Sequence, residues 1–134
     1  METRRVERPQ ERPFFSLFLL YWLPVLLYLT LIIVLSAQPY LSPPLEFPNA
    51  DKLMHILEYF GLGILVVRAL RATMRIPLPL VAALVALSFG IVVGTGDEFL
   101  QSFIPGRSSD PFDLLADTVG SALAQLVYLA FTRG

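Results

Sequence analysis

Residues 14–35 read FFSLFLLYWLPVLLYLTLIIVL, a run of 22 residues without a charge that is interrupted only by Pro24. A bilayer core about 30 Å thick is crossed by roughly 20 helical residues, so this stretch predicts a membrane-spanning helix. The apolar run exceeds the roughly 7–15 residues of a signal peptide, and no small-residue cleavage site follows it. We therefore interpret it as a retained helix rather than as a cleaved leader.

Three further segments also predict spans. Residues 76–96 are again free of charge, and residues 114–131 are largely apolar, with Asp117 and Gln125 as the strongly polar exceptions. Residues 53–67 are shorter and contain His55 and Glu58, but outside a membrane they would expose two apolar clusters. The prediction is an all-α, polytopic membrane protein, a compact bundle of four transmembrane helices at about 14–36, 51–70, 77–100 and 112–131.

The composition supports this class of protein. The chain is 55% hydrophobic and only 16% charged, with a mean hydropathy of +0.65, whereas a soluble domain carries about 25% charge. A net charge of −1 gives no electrostatic footprint for a nucleic-acid partner. The absence of cysteine excludes disulfides and thiol catalysis, and a single histidine excludes sites that need two imidazoles. No glycine-rich phosphate loop is present.

The basic residues predict the orientation in the membrane. Eight of the ten lie on the side that holds both predicted termini: Arg4, Arg5, Arg8, Arg12, Arg68, Arg71, Arg75 and Arg133. Only Lys52 and Arg107 lie on the other side, so the positive-inside rule predicts that both termini are cytoplasmic. Residues 1–13 then form a basic cytoplasmic segment, residues 14–131 the membrane domain, and residues 132–134 a cytoplasmic tail.

Polar residues recur at helical spacing near the predicted outer ends of the spans. Asp51, His55 and Glu58 lie at i, i+4 and i+7 in the second span and share one face of its helix. The same relation joins residues in the other spans: Asp97 with Gln101, Glu98 with Gln101, and Asp113 with Asp117 and Gly120. The sequence therefore predicts that three helices bring acidic or imidazole side chains to one depth, beside Arg107.

Some of these acids have a purely structural explanation. Asn49 could cap the second span and place Asp51 in its first turn, where an acid complements the helix dipole. Asp110, Pro111 and Asp113 read as an N-cap, a first helical position and the acid of a near capping box. Both interpretations stay open at the level of sequence.

The ionisable residues within apolar segments are harder to explain structurally. His55, Glu58 and Asp117 lie a turn or more inside their spans, where such groups are costly and usually face a cavity or a partner. A neutral His55 bonded to a neighbouring helix stays open. Glu98 and Arg107 could form an ion pair, although an arginine among carboxylates also makes a fork for phosphate. The small residues predict close helix packing: Gly90 and Gly94, and Ala116, Gly120 and Ala124.

The combined pattern supports a family resemblance. It reads Asp51-Lys52-x-x-His55-x-x-x-Tyr59, then Asp97-Glu98-x-x-Gln101-x-x-x-Pro105-Gly106-Arg107, then Asp113-x-x-x-Asp117-x-x-Gly120. From about residue 36 to 126 the chain resembles the VanZ-like family of bacterial membrane proteins. The resemblance implies a multi-pass protein of the bacterial cytoplasmic (inner) membrane and a link to resistance against the glycopeptide antibiotic teicoplanin. The chain departs from the family at position 117, usually Asn, and at Glu58, often aromatic or apolar.

From the residues and the resemblance we predict an outward-facing site that binds or processes an anionic, phosphorylated envelope lipid or its head group. Predicted ligand-binding residues are Arg107, Lys52, Gln101, Tyr59 and Asp113. Glu98 and His55 are the predicted acid–base pair if the site is catalytic, which the sequence leaves open. Surplus acids could hold a divalent cation through their oxygens: Asp51, Asp97 and Asp113.

Two other functions remain as alternatives. The polar cluster could be a non-catalytic packing network in a structural or interaction protein of the membrane. A proton or ion path through Glu58, His55 and Asp117 is the least favoured, because the inner halves of the spans offer no ionisable residue except Arg68. A homo-oligomer stays open, and membrane lipids are the expected partners.

Overall fold

The protein is an all-helical bundle in a computed structural model that describes residues 13–42, 44 and 46–132. Four helices are long and apolar enough to cross a membrane: α1 (Phe14–Ser36), α2 (Ala50–Thr73), α3 (Pro79–Gln101) and α4 (Pro111–Thr132). No strand occurs among these described residues, so the predicted fold class is confirmed. Most of the basic segment 1–13, with Arg4, Arg5, Arg8 and Arg12, lies outside the described residues, as does Arg133, and the orientation stays a prediction.

Pro24 interrupts neither α1 nor the span it forms. Proline has no amide N–H, and its ring crowds the carbonyl four residues earlier. The turn just before it, Phe18–Trp22, is π-helical, so its hydrogen bonds reach one residue further along the chain. This wider turn accommodates the ring and lets the helix continue to Ser36.

The short connection between α2 and α3 fixes the start of α3. Pro79 is the first helical residue and Leu78, in an extended conformation, precedes it, so α3 begins two residues after the predicted start at 77. The Arg71 guanidinium donates hydrogen bonds to the carbonyl oxygens of Ile76 and Pro77. These bonds tie the connection back onto the end of α2.

Small residues bring the backbones of α2, α3 and α4 together, as predicted. A Cβ atom at Gly120 of α4 would collide with the backbone carbonyl of Ile56 in α2, so only glycine fits at this crossing. Gly90 and Gly94 of α3 lie against Ser121 and Asp117 of α4. Close approach of this kind is the usual way in which helices associate inside a membrane.

Helix α1 packs on the outside of this three-helix unit. Val25 and Ile32 are buried against it, and the indole N–H of Trp22 donates to the Thr73 hydroxyl over 2.9 Å. Much of the rest of α1 is apolar and exposed, as befits a lipid-facing surface: Leu26, Leu27, Leu31, Ile33 and Val34. The C-terminal ends of α1 and α3 and the N-terminal ends of α2 and α4 meet at one end of the bundle, and the polar residues gather there.

Candidate functional site

Lys52 lies at the centre of one group of acids at this end of the bundle. Its ammonium donates to Asp51 Oδ2 and Asp110 Oδ2, each over 2.8 Å, and also to Asp113 Oδ1. The three carboxylates come from the start of α2, the loop before α4 and the first turn of α4. We call Lys52, Asp51, Asp110 and Asp113 the lysine cluster. It joins α2 to α4 at their N-terminal ends.

The structure bears out each of the two capping interpretations in part. The Phe112 N–H donates to Asp110 Oδ1 over 2.9 Å, so Asp110 caps α4 as predicted. The capping box with Asp113 does not form, because the Asp110 N–H donates to Glu98 and Asp113 accepts from Lys52. Asn49 occupies the N-cap position of α2 and Asp51 lies in the first turn, as predicted. The side chain of Asn49 forms no capping hydrogen bond, however, and its backbone is left-handed (φ 63°). The hydrogen bond from Lys52 holds the pKa of Asp110 below its ordinary value.

His55 pairs with Asp117 in the interior of the bundle. An ionised carboxylate only accepts, so the Nδ1–H of His55 donates to Asp117 Oδ1, over 2.8 Å. Asp117 is fully buried, and His55 is only 8% exposed. Nε2 of the imidazole lies 3.8 Å from Asp113 Oδ2, and in the neutral ring with its proton on Nδ1 it carries the free lone pair. The sequence predicts Glu98 as the acid–base partner of His55 and groups Asp117 with His55 only in the least favoured proton path, so their direct hydrogen bond is a finding of the structure.

Asp97 and Glu98 are buried beside His55, and each has one oxygen engaged. Gln101 Nε2 donates to Asp97 Oδ2 over 3.0 Å, and the Asp110 N–H donates to Glu98 Oε2 over 2.7 Å. The other oxygens, Asp97 Oδ1 and Glu98 Oε1, are buried without a hydrogen-bond partner. We call His55, Asp97, Glu98 and Asp117 the histidine cluster.

The interpretation of Glu98 and Arg107 as an ion pair is wrong. Within the described part of the chain, neither residue forms an ion pair with any other. Arg107 follows Gly106, whose backbone is left-handed (φ 77°) and whose missing Cβ makes room for the ring of Tyr40. The contact between these two loops positions Arg107 at the mouth of a cavity.

That cavity has a volume of about 680 Å³ and opens between the end of α1 and the polar ends of α2 and α4. Its lining combines apolar and polar side chains, the chief ones being Leu35, Leu41, Met54, His55, Glu58, Gln101 and Arg107. Asp51 and Asp113 of the lysine cluster also reach it. Five of the predicted site residues therefore line one space: Asp51, His55, Gln101, Arg107 and Asp113.

The other predicted residues lie elsewhere. Tyr59 is fully buried in the apolar core, where its hydroxyl has no partner, and does not line the cavity. Lys52 does not line it either, and its ammonium is engaged by the three acids of the lysine cluster. Of the predicted cation ligands, Asp51 and Asp113 belong to the lysine cluster and Asp97 to the histidine cluster. Among the described residues, the grouping that offers mutually close ligand atoms is His55, Asp97 and Glu98.

A row of buried polar atoms extends from Asp117 along α4. This row was not predicted from the sequence. Asp117 Oδ2, Ser121 Oγ, Gln125 Oε1 and the Tyr128 hydroxyl are all buried without a hydrogen-bond partner. These residues follow the i, i+4, i+8 and i+11 spacing of one helix face over about 16 Å. The spacing is visible in the sequence, but only Asp117 and Tyr128 among its members ionise, so it is a weak signal of a site.

The fold and this polar site define a multi-pass helical membrane protein. The profile of the VanZ/LLP1 family matches residues 3–132, nearly the whole chain. The chain belongs to this family, which confirms the resemblance.

One relative is an uncharacterized protein of the yeast Schizosaccharomyces pombe, 30% identical over 109 residues. The match covers 81% of this chain but only 65% of that protein, so the chain spans less than two thirds of its relative's length. No solved structure matches the chain.

Proposed function

We propose that this protein binds the phosphate-bearing head group of a membrane lipid in the 680 Å³ cavity, with Arg107 as the anchor. One observation carries the proposal: Arg107 lines the cavity and forms no ion pair among the described residues. A guanidinium matches the geometry of a phosphate group through paired N–H donors.

The size and lining of the cavity suit a lipid. Ligand pockets usually occupy about 300–1,000 Å³ and are mostly apolar with a few placed polar groups. Leu35, Leu41 and Met54 supply the apolar wall, on which the first part of an acyl or polyprenyl chain would pack. Lipid also surrounds the ends of the spans, so such a ligand reaches the cavity without leaving the bilayer.

The acids that line the cavity indicate which charges the ligand should carry. Asp51 and Asp113 each form an ion pair with Lys52, whereas Glu58 forms no ion pair within the described residues. A head group that carries an amine as well as a phosphate would satisfy Glu58 and Arg107 together. This favours a zwitterionic phospholipid over a purely anionic one and refines the expectation from the sequence.

Narrower forms of the proposal follow from the resemblance. With both termini cytoplasmic, the cavity would face outward from a bacterial inner membrane, and binding of a cell-wall precursor lipid there would connect the protein to glycopeptide resistance. The match to a yeast protein supports the broader form, because phospholipids are common to both kinds of organism. Processing of the lipid by His55 and Glu98 stays a prediction.

The test is native mass spectrometry of the detergent-purified full chain with three lipids: a phosphatidylethanolamine, a phosphatidylglycerol and a polyprenyl phosphate. We expect retention of the phosphatidylethanolamine. Arg107→Gln should weaken it about 10–100-fold, because a charge-assisted hydrogen bond contributes about 1.5–3 kcal/mol. Preference for the polyprenyl phosphate would support the precursor-lipid form instead.

Arg68→Gln is the matched control. It removes the same charge at the opposite end of α2, where Arg68 is exposed and stacks on the ring of Tyr21. Lipid retention should be unchanged in this variant. Retention of no lipid by the wild type, or equal loss in both variants, would overturn the proposal.

A structural function has its own support in the lysine cluster. Lys52 ties together three carboxylates from three parts of the chain, and its ammonium has no donor left for a ligand. We propose that this cluster fixes the ends of α2 and α4 and thereby holds the cavity open beside it.

A further inference from the structure

We propose that His55, Asp97 and Glu98 bind a divalent transition-metal ion, such as Mn²⁺ or Zn²⁺, and that Asp117 orients the imidazole for it. This site is separate from the anchoring of phosphate by Arg107 and does not depend on it. It also differs from the cation ligands predicted from the sequence, of which it retains only Asp97.

Each of the three side chains has one polar atom tied to the protein and one left free. His55 donates Nδ1–H to Asp117, Asp97 accepts from Gln101, and Glu98 accepts from the Asp110 N–H. The free atoms are the Nε2 of the imidazole and two carboxylate oxygens that are buried without a partner. Metal ligands are typically oriented in this manner, by an outer partner that holds the atom not bound to the ion.

The charge of the histidine cluster calls for a cation. Asp97 is 6% exposed, Glu98 5% and Asp117 0%, yet no described lysine or arginine pairs with any of them. Removal of carboxylates from water is costly unless a cation compensates for it. Lys52 cannot supply that charge, because its own three acids already engage it.

The donor set and spacing fit such an ion. The three residues offer ligand atoms that all lie within 4.8 Å of one another. Metal–ligand bonds of about 2.0–2.2 Å place the ligand atoms of a tetrahedral ion about 3.4 Å apart, so binding would draw atoms near the 4.8 Å limit together by up to about 1.4 Å. One imidazole with two carboxylates suits Mn²⁺ or Zn²⁺ better than Ca²⁺, which prefers oxygen ligands throughout. His55 lines the cavity, so positions left open on the ion would face a ligand there.

The first experiment uses the wild-type full chain in detergent, stripped with EDTA and dialysed. Calorimetric titration with Mn²⁺ and Zn²⁺ should show stoichiometric binding, whereas Mg²⁺ should bind at least about tenfold more weakly, since it prefers oxygen donors and holds its waters. Pulsed electron paramagnetic resonance of bound Mn²⁺ should show coupling to an imidazole nitrogen. Absence of binding, or bound Mn²⁺ without that coupling, would overturn the proposal.

The second experiment assigns the carboxylates. Asp97→Asn and Glu98→Gln keep the shape of each side chain and its tied oxygen but remove the charge. Loss of a direct ligand should weaken Mn²⁺ binding by more than the roughly 10–100-fold typical of outer partners. Glu46→Gln makes the same chemical change in the exposed loop before α2 and should bind Mn²⁺ as the wild type does.

Further readouts keep the outcomes separable. Monodisperse elution and a thermal midpoint in EDTA verify that each variant folds, and the wild-type spectroscopy decides the question if one does not. Unchanged Mn²⁺ affinity in folded Asp97→Asn and Glu98→Gln would mean that the acids are protonated rather than metal-bound, and would overturn the site. Arg107→Gln should bind Mn²⁺ normally, so failure of lipid binding and failure of the metal site are distinguishable.

Discussion

The lysine cluster and the histidine cluster lie side by side at one end of the bundle, and each contains three carboxylates. In the lysine cluster all three acids contact the ammonium of Lys52, which is itself 23% exposed at its side chain. In the histidine cluster the acids are buried more deeply, and among the described residues only Asp117 has a basic partner, the imidazole of His55. The three carboxylates of the lysine cluster therefore share one cation, whereas two of those in the histidine cluster, Asp97 and Glu98, contact no cation among the described residues.

From this difference we expect the lysine cluster to stabilise the fold and the histidine cluster to bind a ligand. The lysine cluster contributes to the fold, because each of its carboxylates contacts the ammonium of Lys52 and these contacts join separate segments. An uncompensated cluster lowers stability until something binds, which is a common property of functional sites. The two clusters should consequently respond to neutralising substitutions with opposite signs.

The largest effect is expected from Lys52→Met, which removes the only cation of the lysine cluster. Breaking a buried ion pair from one side costs about 3–5 kcal/mol, and the partial exposure of Lys52 reduces this to about 2–4 kcal/mol. Thermal unfolding in mild detergent measures the change. Lys52→Arg, which keeps the charge, should lose less, and an unchanged midpoint for Lys52→Met would contradict a structural role for the cluster.

Glu98→Gln tests the opposite sign in the histidine cluster. In EDTA the variant should unfold at the same temperature as the wild type or higher, with a gain on the order of 1 kcal/mol, because it relieves repulsion among neighbouring acids. The amide oxygen of the substituted side chain would still accept from the Asp110 N–H, as Glu98 does. A fall of a few kcal/mol in EDTA would show that the carboxylate is compensated within the protein and that the two clusters do not differ.

The smallest effect concerns pH and Asp110. Lys52 lowers the pKa of this carboxyl in the folded protein, so their hydrogen bond stabilises the fold above the unfolded pKa of about 3.9. That contribution disappears as the pH falls through the lower, folded pKa. Asp110→Asn retains an N-cap side chain, and its midpoint should lie slightly below the wild type at pH 7. The two midpoints should converge below about pH 4, and a constant difference would contradict the assignment.

Most of the fold could be predicted because membrane insertion depends on composition. A charge-free run of sufficient length must be a helix when no water is present to satisfy its backbone, and loops must contain the remaining polar residues. The helix predicted across Pro24 is present, because a π-helical turn accommodates the proline ring. The start of α3 was predicted two residues too early, because both Pro77 and Pro79 are acceptable at a helix start.

The site was only partly predictable, since helical spacing tells which residues share a face but not what that face meets. The pairing of His55 with Asp117 depends on the rotation of α2 against α4, which the contact at Gly120 determines. The separation of Glu98 from Arg107 depends on the path of the loop after α3. Local periodicity contains neither piece of information.

The peripheral position of α1 has a kinetic consequence. Its last turn supplies Leu35 and Ser36 to the cavity wall, yet most of the helix faces outward and few polar contacts attach it to the other three. Segments with few buried contacts open locally at a lower free energy than the core of a protein. Displacement of α1 would thus be the easiest way to admit a molecule sideways from the bilayer, and the rate of that displacement, rather than the affinity of the cavity, would set how fast the site fills.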